Sequence, residues 1–145
     1  MTEVAFHFNV PDKLAYSCRL LRKAVGKGAR IAVLAEPADL QRLDRDLWEL
    51  APAEFLTHCV MQGANPALRA ASSVLLCDAL ATVPHDQVLL NLADGVPAGF
   101  ERFERLIELV GSDAQDRERA RLRWRHYTAR GYAICRHDVA SQAGR

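Results

Sequence analysis

The sequence predicts a single α/β domain in three layers, with a mostly parallel sheet flanked by helices. Short, bounded apolar segments alternate along the chain with longer segments whose apolar residues recur at helical spacing. A strand, a helix and a buried strand follow one another between residues 3 and 35, as in a βαβ unit, whose two strands are parallel. The length of 145 residues lies within the roughly 100–200 residues of a typical domain. We therefore expect residues 1–145 to form one domain.

Each element of the first βαβ unit is predicted from its own sequence pattern. Residues 3–10 alternate between apolar and polar side chains, with Phe6 on the apolar face, which is the period of a strand. Asp12 is placed to cap a helix that runs to about Val25. Residues 30–35 form a short apolar run that is typical of a strand buried on both faces.

The middle of the chain continues the alternation of helices and strands. Leucines at near-helical spacing predict a second helix over residues 38–50. Two apolar runs, residues 74–77 and 88–92, predict further inner strands. Between residues 99 and 110 the apolar side chains again recur at helical spacing, which predicts a helix that faces the core.

The last part of the chain is dominated by arginine. A long arginine-rich helix is predicted to begin at a cap supplied by Ser112 or Asp113 and to end near Gly131. Residues 132–135 are predicted to form the final strand. Residues 140–145 are expected to be a frayed end.

The composition limits the compartment and the class of partner. The net charge is only +1, which excludes a histone-like protein whose whole surface neutralises phosphate. No apolar run approaches the roughly 20 residues that cross a bilayer, and the amino terminus lacks the features of a signal peptide. We therefore expect a soluble cytoplasmic protein without a membrane partner.

The motifs of nucleotide binding and catalysis do not occur in this sequence. The segment Gly26-Lys27-Gly28 lacks the upstream glycine and the following Ser or Thr of a phosphate-binding loop, and no G-x-G-x-x-G follows the first strand. Ser72-Ser73 has no G-x-S-x-G context, and no two histidines are spaced as H-x-x-x-H. We expect no catalytic residue, no cofactor and no metal ligand.

The informative feature is a local excess of positive charge. Residues 117–136 contain seven arginines against Glu118 alone, which predicts an anion-binding site on a nearly neutral protein. Five side chains share one face of the predicted helix: Arg117, Arg121, Trp124, Arg125 and Thr128. Guanidinium groups can form paired hydrogen bonds with carboxylates, and a neighbouring aromatic ring adds an apolar contact surface. Two other interpretations stay open, a solvated helix with its tryptophan packed inward and direct binding of single-stranded nucleic acid.

Three segments carry a resemblance to a known family. They are the run Arg42-Leu43-Asp44-Arg45-Asp46-Leu47-Trp48, Phe55 with His58 after it, and the last helix leading into Arg130-Gly131-Tyr132. In their order, spacing and overall length, these segments resemble the chi subunit of bacterial DNA polymerase III holoenzyme. The resemblance covers nearly the whole chain.

The resemblance implies a fold and a role. The fold would be Rossmann-like without a nucleotide site, and the role that of a non-catalytic accessory subunit in DNA replication. Such a subunit pairs with the psi subunit, which links it to the clamp loader. It also binds the acidic, Phe-terminated tail of single-stranded-DNA-binding protein, so that it would reach DNA only indirectly. The alternatives are a module that binds single-stranded nucleic acid itself and, less favoured, an enzyme that hydrolyses a small phosphorylated substrate.

The resemblance also implies which residues would meet each partner. For the acidic tail these are basic residues and an aromatic on the last helix, with one more residue in the final strand: Arg117, Arg121, Trp124, Arg125 and Arg136. The family pattern has Lys at the first and last helix positions and Tyr at the position of the tryptophan. Trp48 and Phe55 are the candidates for the psi contact, and core packing after a helix is the alternative for Trp48.

Overall fold

A computed structural model describes residues 1–50, 57–62 and 64–142. Within these residues the strands are β1 (Glu3–Val10), β2 (Ile31–Leu34), β3 (His58–Val60), β4 (Val74–Cys77), β5 (Val88–Asn91), β6 (Arg105–Gly111) and β7 (Ile134–Asp138). The helices are α1 (Lys13–Gly26), α2 (Pro37–Leu50), α3 (Pro66–Ala71), α4 (Ala114–Ala129) and α5 (Val139–Gln142), with a 3₁₀ turn at Phe100–Arg102.

The seven described strands form one sheet in the order β3-β4-β2-β5-β6-β1-β7. Every neighbouring pair is parallel. Leu21 of α1 and Leu43 of α2 are fully buried on one face of the sheet, whereas Phe100 of the 3₁₀ turn and Tyr127 of α4 are buried on the other. These layers confirm the predicted three-layer α/β class, and the sheet is parallel throughout.

The caps and inner strands predicted from local sequence are present. Asp12 accepts a hydrogen bond from the backbone N–H of Ala15 at 3.2 Å, so it caps α1. Asp113, one of the two predicted caps of the arginine-rich helix, accepts from the N–H of Gln115 at 3.2 Å. Both side chains satisfy backbone donors that have no partner inside the helix. Strands β2 and β4 are buried along their whole length, as their apolar runs indicate.

The prediction of a helix over residues 99–110 is wrong. Only the 3₁₀ turn at its start is helical, and β6 follows from Arg105 to Gly111 as an inner strand of the sheet. All of its residues after Arg105 are buried, including Glu108. The helical spacing arose because both faces of this strand are covered, so apolar residues are dense enough to match either period.

The carboxyl-terminal elements are shifted from their predicted places. The final strand is β7, which begins two residues later than predicted and extends to Asp138. Residues 139–142 form the short helix α5 rather than a frayed end, and residues 143–145 lie outside the described residues. Helix α3, which the sequence did not predict, begins at Pro66 after a cap from Asn65.

The side-chain carboxylate of Asp116 lies at the carboxyl end of β6. Gly111 N–H donates to Asp116 Oδ2 at 2.6 Å, and Lys13 Nζ lies 3.0 Å from Oδ1. Burial opposes ionisation, but the Gly111 amide and the Lys13 ammonium hold the pKa of Asp116 below its ordinary value. Phosphates commonly bind beyond the carboxyl ends of parallel strands. Here the donors at the end of β6 are already engaged by Asp116.

Two kinds of feature are absent from the described residues. None of their helices combines the length and apolar composition that a bilayer span requires. Nor do the same residues contain three or more His, Cys, Asp or Glu side chains arranged to hold a metal ion.

Candidate functional site

Helix α4 is attached to the sheet through a buried carboxylate. Glu108 of β6 is fully buried and accepts hydrogen bonds from Arg123 Nε at 3.1 Å and from Tyr127 Oη at 2.6 Å. Asn91 Nδ2 donates to the same carboxylate at 3.0 Å. Arg123 Nη1 also donates to the backbone carbonyl of Asp94 at 2.8 Å. The helix therefore docks on the sheet through a polar network.

This network fixes the rotation of α4. Burial raises the pKa of Glu108, and the Arg123 guanidinium opposes that rise together with hydrogen bonds from Tyr127 and Asn91. Leaving a buried charge without its partner costs several kcal/mol, so the helix cannot rotate without a large loss of stability. With Arg123 turned inward, the neighbouring arginines of α4 are held on the outer and lateral faces.

A groove with a volume of about 410 Å³ opens beside α4, toward the edge of the sheet formed by β1 and β7. It is lined by Phe6, Phe8, Asn9, Val110, Arg117, Ala120, Arg121, Trp124 and Arg136. This set combines the carboxyl-terminal half of β1, one flank of α4 and single residues of β6 and β7. Its volume falls within the roughly 300–1,000 Å³ of typical ligand sites.

Aromatic rings form the floor of this groove. Phe6 is buried, and its ring centroid lies 5.0 Å from that of Trp124 with the planes tilted by 59°. Phe6 also makes an edge contact with Tyr127 at 6.0 Å, which anchors it in the core below α4. Trp124 is half-buried, so its indole both packs on Phe6 and faces the groove. Rings at these separations attract one another beyond the area they bury.

Arg136 covers one end of the aromatic floor. It lies opposite Phe6 in the pairing of β1 with β7, which places both side chains on the groove face of the sheet. The guanidinium carbon is 5.4 Å from the ring centroid of Phe8 and 5.7 Å from that of Trp124. Cation–π contacts of this kind hold a guanidinium in place without neutralising its charge.

Two further guanidinium groups border the groove from α4. Arg117 Nη2 donates to Asn9 Oδ1 at 3.3 Å. Arg121 Nη1 lies 3.1 Å from Glu118 Oε2, and both side chains are more than 60% exposed. An ion pair in that much water contributes little to stability, so it yields easily to another anion.

The positive charge of the groove is largely uncompensated. Within the described part of the chain, no carboxylate forms an ion pair with Arg117, Arg125 or Arg136. Guanidinium groups of this kind bind carboxylates or phosphates through paired hydrogen bonds. The neighbouring rings offer an apolar surface at the same place. The groove is therefore suited to a ligand that joins anionic groups to an apolar or aromatic one.

The structure brings together four of the five residues proposed for the acidic ligand. Arg117, Arg121, Trp124 and Arg136 all line the groove. Arg125 does not line it, because its position on the helix turns it outward, where it is exposed. The interpretation of a solvated helix with an inward tryptophan fits only in part, since the indole contacts Phe6 and also faces the groove.

Sequence reasoning missed several residues that shape the site. Phe6 lies on the predicted apolar face of β1, but the sequence connects neither it nor Phe8 with the arginines of α4. Asn9 was not singled out, although an asparagine at the end of a strand is a signal for an irregular backbone. Arg123 was counted with the local positive charge, but its charge is neutralised in the core by Glu108.

The second pair of predicted residues lies elsewhere on the molecule. The side chain of Trp48 on α2 is exposed, at 63% for the residue, so the alternative of core packing is wrong. Its ring centroid lies 4.7 Å from that of His58, which is buried with Nε2 3.2 Å from Asp44 Oδ1. Phe55 lies outside the described residues. The position of Trp48 leaves an aromatic surface available on α2.

Comparison with known proteins finds one family that matches nearly the whole chain. Residues 1–135 match the family described as DNA polymerase III chi subunit, HolC. The chain is also similar to the DNA polymerase III subunit chi of Pseudomonas aeruginosa, with 29% identity over 147 aligned residues that cover 96% of this chain and 98% of that protein. The chain therefore belongs to the chi subunit family, the accessory subunits of DNA polymerase III.

Proposed function

We propose that this chain is a non-catalytic, cytoplasmic subunit of DNA polymerase III that binds the acidic C-terminal tail of single-stranded-DNA-binding protein and pairs with the psi subunit. The observation that carries the first part is the grouping of Arg117, Arg121 and Arg136 around the ring of Trp124. Through these two partners the subunit would connect the clamp loader with coated single-stranded DNA, while touching the DNA itself only indirectly.

The guanidinium groups would bind the carboxylates of the tail. Arg117 and Arg136 are in no ion pair within the described residues, and the exposed pair of Arg121 with Glu118 is weak. Charge-assisted hydrogen bonds from arginine to carboxylate are among the stronger polar contacts, and long-range attraction would speed the encounter. Both effects diminish as salt is added, because exposed charges are screened.

The aromatic floor would bind the ring at the end of the tail. Phe8 and Trp124 expose apolar surface inside the groove, and Phe6 supports the indole from below. A phenylalanine ring placed there could make offset or edge contacts at roughly 4.5–7 Å between centroids. The ring would also account for specificity, since carboxylates alone do not distinguish this tail from other acidic peptides.

The psi subunit would bind at a separate surface around Trp48. Helix α2 contacts β3 at one edge of the sheet, whereas the groove lies toward β7 at the other edge. Exposed aromatic residues are enriched in protein interfaces. Trp48→Ala and Phe55→Ala should therefore weaken psi binding and leave binding of an acidic peptide nearly unchanged. Equal loss of both activities at an unchanged melting temperature would contradict two separate surfaces.

The groove is tested with a fluorescently labelled acidic peptide that ends in Phe, titrated with protein and followed by anisotropy. Loss of a charge-assisted hydrogen bond should make Arg121→Ala bind this peptide about tenfold to a hundredfold more weakly. Arg130→Ala is the matched control, because Arg130 is an exposed arginine of the same region that does not line the groove. The control should bind like the wild-type protein.

The same titration distinguishes the alternative of direct single-stranded nucleic-acid binding. An oligonucleotide carries the same sign of charge as the peptide but presents bases along its whole length, which favour several stacking rings. If Arg121→Ala binds the peptide as the wild-type protein does but loses an oligonucleotide, the groove is a nucleic-acid site and the proposed function is wrong.

A further inference from the structure

Asn9 has an unusual backbone at the border of the groove. Its φ of 59° is left-handed, and the pairing of β1 with β6 shifts register between His7 and Val10. Asparagine tolerates this conformation better than most residues other than glycine. Regular alternation would place residue 9 on the face opposite Phe8, but the irregularity redirects its side chain so that both residues line the groove.

The side-chain amide of Asn9 lies between a cation and an anion. Arg117 Nη2 donates to its Oδ1 at 3.3 Å, and its Nδ2 donates to Asp138 Oδ1 at 3.0 Å. A guanidinium can only donate hydrogen bonds and a carboxylate can only accept them, so these partners fix the orientation of the amide. Asn9 thereby links α4 to the end of β7.

The amide of Asn9 is uncharged, and this affects how much positive charge the groove can offer to a ligand. Asp138 Oδ1 also accepts from the N–H of Ala140 at the start of α5, which holds the carboxylate near the groove border. A direct ion pair between Arg117 and Asp138 would neutralise one of the guanidinium groups available to an anionic ligand. The amide bonds to both groups and leaves the charge of Arg117 in place.

We propose that Asn9 is a positioning residue for ligand binding, which keeps Arg117 apart from Asp138 and so keeps its charge available to carboxylates in the groove. This proposal rests on the proposed function of the groove as a site for an acidic peptide. It assigns to β1 a specific part in that site, beyond its supply of aromatic rings.

The decisive variant is Asn9→Gly, because glycine adopts a positive φ without strain and removes only the side chain. No amide then separates Arg117 from Asp138, and the long arginine side chain can turn toward the carboxylate. Affinity for the labelled acidic, Phe-terminated peptide should fall about three- to tenfold. The salt dependence of binding should become shallower as well, which a purely structural role of Asn9 would not produce.

Two further variants separate this role from a general loss of shape. Asp138→Asn keeps an oxygen for the N–H of Ala140 but removes the charge, so the double variant Asn9→Gly/Asp138→Asn should return to within about twofold of wild-type affinity. In an Arg117→Ala background, Asn9→Gly should change peptide binding by less than about twofold, because its effect acts through Arg117.

The outcomes distinguish this inference from the function on which it rests. If the wild-type protein does not bind the peptide, the proposed function is overturned, and the role of Asn9 with it. If the wild-type protein binds but Asn9→Gly binds equally well, only the role of Asn9 is overturned. The same holds if Asn9→Gly weakens binding and Asp138→Asn fails to restore it.

Discussion

The two sides of α4 use the same residue type in opposite ways. Arg123 faces the sheet, where its side chain is 3% exposed and lies 3.1 Å from the buried Glu108. Arg121, two positions earlier, faces outward with 69% of its side chain exposed and only a solvated partner. Positions two apart on a helix point to nearly opposite sides. The guanidinium of Arg123 is therefore committed to the core, whereas that of Arg121 remains available for a ligand.

This division explains how a helix with few apolar residues can be held firmly enough to present its arginines along the groove. Of its buried residues, Ala120 and Tyr127 bring apolar surface to the sheet, and the half-buried Trp124 adds its contact with Phe6. The polar contacts of Arg123 and Tyr127 with Glu108 supply the orientation that apolar packing usually provides. In this protein the buried arginine positions the exposed ones.

The largest expected effect is on stability and comes from removing the buried arginine of α4. Arg123→Ala leaves Glu108 buried without its cation, which should lower the free energy of unfolding by about 3–5 kcal/mol. Arg125→Ala, an exposed arginine of the same helix, should change it by less than about 0.5 kcal/mol. Urea denaturation followed by circular dichroism measures both. Similar values for the two variants would show that Arg123 does not anchor the helix.

The penalty in Arg123→Ala should also depend on pH. Burial raises the pKa of Glu108, and removing Arg123 takes away the strongest influence that opposes the rise. A carboxyl whose pKa is higher in the folded state favours the fold while protonated, and this contribution is lost as pH rises through the folded-state pKa. The destabilisation should therefore be smaller at about pH 5 than at about pH 8. An equal penalty at both values would mean that Glu108 keeps the same protonation in the variant.

In the groove, removal of the indole of Trp124 should change the preference for the terminal residue of the peptide more than the salt dependence of binding. The wild-type protein should bind an acidic peptide ending in Phe about tenfold more tightly than the same peptide ending in Ala. Trp124→Ala should abolish this preference while keeping much of the salt dependence. Leu122→Ala is the control, since Leu122 is an exposed apolar residue of α4 outside the groove. A preference that survives in Trp124→Ala would place the terminal ring elsewhere.

A smaller effect, on the pH dependence of stability, is expected from His7, which lies on the face of β1 away from the groove. Burial lowers the pKa of His7 to about 4, with a further contribution from His137, whose ring centroid is 4.7 Å away. A base with a lowered pKa favours the fold while neutral, so this stability is present above about pH 6.5 and is lost as pH falls toward 4.

This contribution is measured by thermal unfolding at about pH 7.5 and about pH 5. His7→Gln should reduce the acid-induced fall in melting temperature by about 2–5 °C. The reduction is expected to be partial, because burial also lowers the pKa of His85 to about 4. A fall in melting temperature that is the same in both proteins would contradict a neutral His7 in the folded state.

The contrast between the two sides of α4 also marks what the sequence could predict. Local signals were sufficient for α1, β2 and the cap at Asp113, because each depends on neighbouring residues. The spacing in β6 predicts a helix because apolar residues lie on both of its covered faces and Glu108 interrupts their run. Its partner Arg123 lies 15 positions away, and nothing local shows that the charge is neutralised.

The site was predictable to a similar degree. Helical spacing correctly placed Arg117, Arg121 and Trp124 on one flank, and it placed Arg125 there as well because that position is only one turn further. The rotation of the helix, which decides between groove and solvent, depends on the buried network. An asparagine at the end of a strand signals an irregular backbone, but the role of Asn9 cannot be read from local sequence, because it depends on a register shift and on two partners from distant segments.

The most direct test of the central claim uses the two tryptophans as reporters in one spectrum. In ¹⁵N-labelled protein each indole N–H gives a separate signal, and a Trp48→Phe variant assigns them. Addition of the acidic, Phe-terminated peptide should move the signal of Trp124, which lines the groove, and leave that of the exposed Trp48 in place. If the peptide binds but moves only the Trp48 signal, the groove beside α4 is not the binding site.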